Sequence, residues 1–313
     1  MIEEVDGPTA PLRQLAAVHL VESEADPHDL GEPPRPLDEA IASYRNPGTA
    51  KRRRWLAREQ SEPAGVAVLT RHGESLAVGY ALVRPSFRRR GIGRALFETV
   101  VAAARADGVR SFFGEHASRE GAAFARAMGA VDDQRHIVSV LDLRNALLPE
   151  PAPPAGVELR SWVGAAPEEL VESLVRARNA MGDAPVPGGL EMPVWTIDEQ
   201  RRDEERWIVR AIPQHVTVAV EDGAVVALTG IRVPEAVGAT LVHTDDTATV
   251  PHARRRGLAL AVKLASLRRL RAERPDIERV ATQNAVQNEP ILAVNRELGF
   301  VPLLTLTSAV VTL

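Results

Sequence analysis

The chain has 313 residues, with 42 acidic and 38 basic side chains, a net charge of −4 and no cysteine. The absence of cysteine excludes disulfides, thiolate metal sites and a cysteine acyl-enzyme. The acidic balance argues against general binding of nucleic acid, and no apolar run approaches the roughly 20 residues of a membrane helix. The acidic start, without a basic region followed by an apolar one, predicts a cytoplasmic protein.

A proline-rich segment divides the chain near its middle. Four prolines lie between residues 149 and 154, where neither a helix nor a central strand can continue. We therefore predict an N-terminal domain over 1–148, a linker over 149–156 and a C-terminal domain over 157–313.

Within the N-terminal region of the first domain, the proline-rich stretch 27–36 predicts a loop between two helices. Hydrophobic patterning then predicts strands over 55–59, 65–70 and 76–83, a helix over 92–105, a strand over 111–115, a helix over 120–128 and a strand over 137–143.

The second domain predicts the same order of elements. Strand 157–163 and helix 167–180 precede a hairpin of strands 215–220 and 224–233, whose turn is Asp222-Gly223. The remaining elements are strand 239–250, helix 258–271, strand 277–282, helix 289–298 and a strand-like end over 301–313.

One short phrase occurs once in each half. Arg88-Arg89-Arg90-Gly91-Ile92-Gly93 and Arg254-Arg255-Arg256-Gly257-Leu258-Ala259 are offset by 166 positions. Gly129 and Gly299 follow them in similar contexts, offset by 170. Conserved order and nearly conserved spacing predict two copies of one fold.

The repeated phrase predicts a strand that passes through a tight turn into a helix. Backbone N–H groups at a helix start, together with guanidinium groups, form an anion site suited to a pyrophosphate. Such a site needs no metal. The phrase differs from the lysine-containing P-loop and from the GxGxxG dinucleotide pattern, so those two cofactor classes are not expected.

These residues resemble the acetyl-CoA motif of the GNAT family of N-acetyltransferases, Gln/Arg-x-x-Gly-x-Gly/Ala. The resemblance implies an α/β (mixed α+β) fold of two tandem GNAT-like domains, each a mixed, mostly antiparallel sheet flanked by helices. It further implies an enzyme that moves an acetyl group from acetyl-CoA, or another short acyl-CoA, to a small-molecule amine, without a metal and as a monomer or homodimer.

The resemblance also implies which residues bind the cofactor. Main-chain groups of the strand before each turn would pair with the pantetheine arm, and the turn would hold the pyrophosphate. The implied residues are Val83, Arg88, Arg89, Arg90, Gly91, Ile92, Gly93 and Arg94 in the first copy, and Thr249, Val250, Arg254, Arg255, Arg256, Gly257, Leu258, Ala259 and Asn288 in the second.

The family often places a tyrosine seven residues after the position of Asn288, where it protonates the departing thiolate. This chain has Asn295 there, and the first copy has Ser118 and Ala125 at the two places. A tyrosine general acid is therefore not predicted for either copy.

The strand before the motif is where the family commonly carries a general base. Eleven residues before Arg254 lies His243, whereas the same count in the first copy gives Ala77. Strand alternation predicts that His243, Asp245 and Thr247 share one face, with Asp245 tuning the imidazole as a base. We therefore predict that the C-terminal domain is catalytic, with His243 and Asp245 as catalytic residues and an oxyanion-binding N–H near Val250.

Two other functions remain open from the sequence. The missing tyrosines are also compatible with a non-catalytic acyl-CoA-binding or sensor protein. The basic runs at 51–54, 88–90 and 254–256 are compatible with a DNA-associated protein. The net negative charge of the chain argues against that function.

Overall fold

The computed structural model describes residues 1–25, 35–46, 52–72, 76–183 and 194–313. Most of the predicted loop over 27–36, and Lys51 of the first basic run, lie outside the described residues. The described chain forms two compact units, which we call unit 1 (Met1–Gln134 with Leu306–Leu313) and unit 2 (Arg135–Thr305).

Apart from strand β1 and helix α6, which were not predicted, the strands and helices follow the predicted order, and the predicted mixed α/β fold is confirmed. The strands are β1 (Ile2–Glu4), β2 (Arg52–Glu59), β3 (Glu62–His72), β4 (Leu76–Val83), β5 (Ser111–His116), β6 (Val131–Asp142), β7 (Val157–Val163), β8 (Gln214–Glu221), β9 (Ala224–Arg232), β10 (Leu241–Thr249), β11 (Arg279–Ala285) and β12 (Val301–Thr312). The helices are α1 (Leu12–Ala25), α2 (Leu37–Arg45), α3 (Ile92–Ala106), α4 (Arg119–Ala127), α5 (Glu168–Asn179), α6 (Ile197–Val209), α7 (Leu258–Glu273) and α8 (Glu289–Glu297).

Helix α6 was not predicted, because eight of its 13 residues are charged and it lacks a clear apolar face in the sequence. A local signal for its start does exist. The hydroxyl of Thr196 accepts from the N–H of Glu199, and the Glu199 carboxylate accepts from the N–H of Thr196. This reciprocal capping box begins helices independently of any apolar face. None of the helices in the described ranges is long and apolar enough to cross a membrane.

The sheet of unit 1 has the order β1-β2-β3-β4-β5-β12. Alternate residues of β3 face opposite sides, as expected of a strand with both faces covered. Val66 and Val68 pack with the inner face of α1, whereas Ala67 and Leu69 pack with α3. The two helices therefore bury opposite faces of one sheet.

The sheet of unit 2 has the order β6-β11-β10-β9-β8-β7. Leu170, Val171 and Leu174 of α5 pack in one core cluster with β8 and β9. Leu264 and Leu267 of α7 pack in a second cluster with Ile231, Val242 and Phe300. Helices again cover the sheet, which places the C-terminal end of α5, with Arg178, beside the polar part of β10.

The two units differ from the predicted ranges 1–148 and 157–313, because the last strand of each half pairs in the other unit. Residues 307–312 of β12 pair antiparallel with β5, so they complete the sheet of unit 1. Residues 136–142 of β6 pair antiparallel with β11, so they belong to unit 2. Sequence periodicity predicts a strand but not the strand with which it pairs.

In each unit, the strand before the repeated turn diverges from its parallel neighbour. Strand β4 pairs with β5 only over 76–78 and 111–113, and β10 pairs with β11 only over 241–243 and 279–281. Beyond those residues, the facing edges have no strand partner within the described chain. Each unit therefore has a gap between two strands that opens toward the turn.

Candidate active site

The two repeated turns have the same backbone conformation. Gly91 (φ 82°) directly precedes α3 and Gly257 (φ 78°) directly precedes α7, both in the left-handed region that glycine tolerates. Two residues earlier in each copy, Arg89 (φ 64°) and Arg255 (φ 61°) also have positive φ. The repeat therefore extends from sequence to local structure.

Two of the three arginines in each turn make internal contacts. Arg88 donates from Nε to the carbonyl of Val83 at 3.1 Å, and Arg254 donates in the same way to Thr249 at 3.1 Å. Arg90 pairs with Glu59 at 3.0 Å, and the corresponding Arg256 pairs with Glu221 at 2.7 and 2.8 Å. These four arginines stabilise the shape of the turns. From the sequence, all of them were expected to bind the ligand.

The start of each helix remains available to an anion. The first backbone hydrogen bonds inside α3 and α7 run from Ala95 to Gly91 and from Ala261 to Gly257. The N–H groups before Ala95 and Ala261 therefore have no acceptor in their own helices, and they lie at the positive end of the helix dipole. Arg89 and Arg255 are exposed beside them.

The copies differ at the third position of the glycine motif and at the start of the following helix. A Cβ at Gly93 would lie 3.2 Å from Phe124, whereas the second copy has Ala259 there. Ser118 caps α4 by accepting from the N–H of Gly121 at 3.0 Å. Asn288 stands at the start of α8 without capping it, and it is half-buried.

A β-bulge in β10 separates side chains that were predicted to share a face. His243 pairs with Arg232 and Thr247 with Thr229, and the register shifts by one residue between them. Arg232 and Thr229 are three residues apart on β9 and face opposite sides, so His243 and Thr247 do as well. The prediction that His243, Asp245 and Thr247 share one face is therefore wrong for Thr247.

Asp245 lies on the same face as His243. It accepts from Gln214 at 2.7 Å and pairs with Arg232, the register partner of His243, at 2.8 Å. Burial, followed by repulsion from Asp246, raises the pKa of Asp245 to about 6 despite the opposing charge of Arg232. Among described residues, none hydrogen-bonds the exposed His243 side chain, so Asp245 does not tune it by direct contact.

The oxyanion-binding N–H predicted near Val250 is not the N–H of Val250 itself. That group donates to the carbonyl of Val226 at 3.0 Å. Because N–H groups alternate along a strand, the N–H of Thr249 points the other way, into the gap beside β11. At this end of β10, the N–H of Thr249 is therefore the backbone donor that points into the gap.

A buried ionic network, missed in the sequence, supports the bulge. Arg178 of α5 is 5% exposed, pairs with Asp246 at 2.7 Å, and its guanidinium lies 3.6 Å from the centre of the Trp195 ring. Arg232 lies 3.9 Å from the Trp207 ring. Asp203 of α6 approaches Arg178 and Arg232 at 3.9 and 3.7 Å. Only the unpredicted α6 brings Asp203 and Trp207 to this place.

Unit 1 has different chemistry at the matching position. Tyr80 stands 166 residues before Asp246 and donates to Glu22 of α1 at 2.8 Å. Tyr44 donates to the same carboxylate, and the buried Arg54 lies 4.8 Å from the Tyr44 ring. Ala77, the counterpart of His243, is fully buried. At the two bulge positions unit 1 thus has Gly79 and Tyr80 in place of Asp245 and Asp246, and it has no titratable counterpart of His243.

Comparison with known proteins shows the family of this chain. The model of the acetyltransferase (GNAT) family matches residues 17–130, which lie in unit 1. A mycothiol acetyltransferase of Nocardia farcinica is 31% identical over 85% of this chain and 84% of the relative. The chain belongs to the GNAT family, and it is an N-acetyltransferase. A mycothiol acetyltransferase of Actinosynnema mirum is 30% identical over 85% of this chain and 86% of the relative.

Solved structures support the tandem GNAT fold. A tandem GNAT protein from the clavulanic acid biosynthesis pathway has a TM-score of 0.80 at 24% identity, over 100% of this chain and 98% of that chain. A GNAT protein from Sphaerobacter thermophilus has a TM-score of 0.74 at 16% identity, over 99% and 95%. At these identities the likeness concerns the fold alone.

Proposed function

We propose that this GNAT protein transfers an acetyl group from acetyl-CoA to a small-molecule amine, and that unit 2 is the catalytic unit. The observation that carries the proposal is Asp245, a partly buried carboxylate with a raised pKa beside the gap between β10 and β11. A carboxylate tuned toward neutral pH can accept the proton of an ammonium group. Unit 1 has glycine at that position.

The proposed cofactor site extends from the turn to the strand gap. The pyrophosphate would bind the N–H groups at the start of α7, near Gly257, with Arg255 beside it. The pantetheine arm would lie along the unpaired edge of β10, and the half-buried Asn288 would contact the cofactor. The same turn in unit 1 predicts a second binding site for acyl-CoA, without the Asp245 carboxylate.

The proposed reaction is direct attack of the amine nitrogen on the thioester carbon, because no cysteine is present to form the usual acyl-enzyme. Asp245 takes the proton from the acceptor, and the exposed His243 on the same face is positioned to relay it to solvent. The N–H of Thr249 stabilises the developing oxyanion. The new C–N bond forms as the C–S bond of acetyl-CoA breaks.

The test is a thiol-release assay with acetyl-CoA and a panel of amines. The panel includes the free-amine form of mycothiol, because relatives of this chain are named mycothiol acetyltransferases. We expect thiol release to depend on the amine and an acetylated product to appear by mass spectrometry. Tight acetyl-CoA binding without release for any amine would favour the sensor function instead.

A further inference from the structure

Gln214, at the start of β8, contacts the proposed base from two strands away. Strand register pairs Gln214 with Arg232 on β9, and it pairs Arg232 with His243 on β10. Because residues directly opposite one another share a face, these three side chains lie on one face of the sheet. The Gln214 side chain crosses β9, and its Nε2 donates to Oδ2 of Asp245 at 2.7 Å. A neutral donor is thus joined to the proposed base.

Both side-chain partners of Asp245 contact the same carboxylate oxygen. Nη2 of Arg232 lies 2.8 Å from Oδ2, the oxygen that also accepts from Gln214. Among the described residues, no donor contacts the other oxygen, Oδ1. An ionised carboxylate can accept hydrogen bonds on both oxygens. Asp245 therefore has one oxygen held by the protein and one oxygen available to a ligand.

Gly230 of β9 provides the space that the Gln214 side chain occupies. A Cβ at residue 230 would lie 2.5 Å from Nε2, 2.8 Å from Cδ and 3.2 Å from Cγ of Gln214. Any other side chain at this position would therefore displace the carboxamide from Asp245. The backbone at Gly230 does not have a positive φ, so its conformation does not itself require glycine. The missing side chain at residue 230 is thus matched to the position of Gln214.

We propose that Oδ1 of Asp245 accepts the proton of the acceptor amine, and that Gln214 is a positioning residue that holds the carboxylate for this step through Oδ2. An N–H bond of the ammonium group breaks, its electron pair stays on nitrogen, and an O–H bond forms at Oδ1. The free amine then attacks the thioester, and the proton on Asp245 passes to solvent. This inference rests on the proposed function, in which Asp245 is the base.

The hydrogen bond from Gln214 also affects the titration of Asp245. The charged and titratable groups around this carboxylate come from four elements: His243 and Asp246 of β10, Arg232 of β9, Arg178 of α5 and Asp203 of α6. Burial, followed by repulsion from Asp246, raises the pKa of Asp245 to about 6. A donor to the ionised form favours that form, so Gln214 opposes this rise. Loss of the donor should therefore raise the pKa of Asp245 further.

The experiment measures the pKa of Asp245 by carbon-13 NMR of its carboxyl group, assigned from the signal that Asp245→Asn lacks. This measurement needs no substrate. We expect Gln214→Ala to raise the pKa by about one pH unit, as for loss of a hydrogen bond to a charged group. Its kcat should fall about tenfold because the base is no longer held in place, with acetyl-CoA affinity unchanged. Gln214→Glu keeps the size of the side chain but removes the donor, and it should raise the pKa at least as far.

Gly230→Ala is the matched variant, because it keeps Gln214 in the chain and displaces only its side chain. We expect it to raise the pKa of Asp245 as Gln214→Ala does. In a Gln214→Ala background it should have no further effect, since the three atoms that the added Cβ would approach are then absent. Equal effects of Gly230→Ala in both backgrounds, or an unchanged pKa and kcat in Gln214→Ala, would overturn this inference and leave the proposed function intact. Absence of thiol release from the wild type with every amine would overturn both.

Discussion

Arg178 donates from Nε to Oδ2 of Asp246 at 2.7 Å, and this bond joins helix α5 to the bulge of β10. In unit 1, Tyr80 of β4, the counterpart of Asp246, donates instead to Glu22 of helix α1. A polar contact at this place is thus common to both copies, but only unit 2 uses a buried charge pair. The pair holds the part of β10 that carries Asp245.

Replacing Arg178 with methionine should strongly destabilise unit 2. The change leaves Asp246 without its guanidinium partner in a place where Arg178 is 5% exposed. Removing one partner of a buried pair costs about 3–5 kcal/mol of unfolding free energy. Arg176→Met is the control, because its pair with Glu172 is exposed, and it should cost no more than about 1 kcal/mol. Urea unfolding measures both, and equal losses would contradict the prediction.

Asp245→Asn should abolish most catalysis without unfolding the protein. In the wild type the pKa of Asp245 is raised to about 6, and only the deprotonated form can accept a proton. Therefore kcat/KM should rise with pH through a midpoint near 6 and then level off. The asparagine variant should lose roughly 10²- to 10⁴-fold in kcat, the range for a lost general base, with little change in acetyl-CoA affinity.

His243→Gln separates the two candidate bases. If Asp245 takes the proton, this variant keeps the acidic limb near pH 6 and loses much less activity than Asp245→Asn. A pH profile that becomes flat in His243→Gln, with Asp245→Asn still active, would assign the base to His243 instead.

Valine in place of Gly257 should weaken coenzyme A binding at unit 2. The expected cause is backbone strain, because φ at Gly257 is 78°. A steric clash is not the cause, since an added Cβ would have no atom of the described chain within 4 Å. A left-handed conformation costs a non-glycine residue about 1–2 kcal/mol or more, so the turn is expected to change shape. The number of coenzyme A molecules bound per protein, measured by calorimetry for this variant and for Gly91→Val, shows which of the two turns bind coenzyme A. Gly223→Val carries similar strain in the β8–β9 hairpin, and it should leave binding unchanged.

Lys263 of α7 is buried, and its stability cost should depend on pH. Its folded pKa is about 8, below the ordinary value of 10.5, so between these values the folded state binds fewer protons than the unfolded state. Wild-type stability should therefore rise with pH across this range. Lys263→Met should be more stable than wild type by on the order of 3 kcal/mol at pH 7, and this advantage should shrink by pH 10. A pH-independent difference in chemical unfolding would contradict this account.

Local sequence determined the turns, the hairpin and the order of elements in each half. The turn at Gly257 depends on glycine at a positive φ and on an arginine that reaches a carbonyl five residues earlier, so all its causes lie within a short segment. The hairpin depends in the same way on Asp222 and Gly223. Because these interactions lie within the repeated motif, the same turn forms wherever the motif occurs. The repeat could therefore be recognised from the sequence.

Tertiary structure alone decided which side chains meet. The extra residue at the bulge of β10 sends Thr247 to the face opposite His243, and alternation along a strand cannot show where it is interrupted. Strand β12 pairs with β5 although their residues are almost two hundred positions apart in the sequence. The residue pattern of a strand does not specify the strand with which it pairs. Arg178 and Lys263 read as ordinary helical residues in the sequence, and their importance comes from burial among groups contributed by other elements.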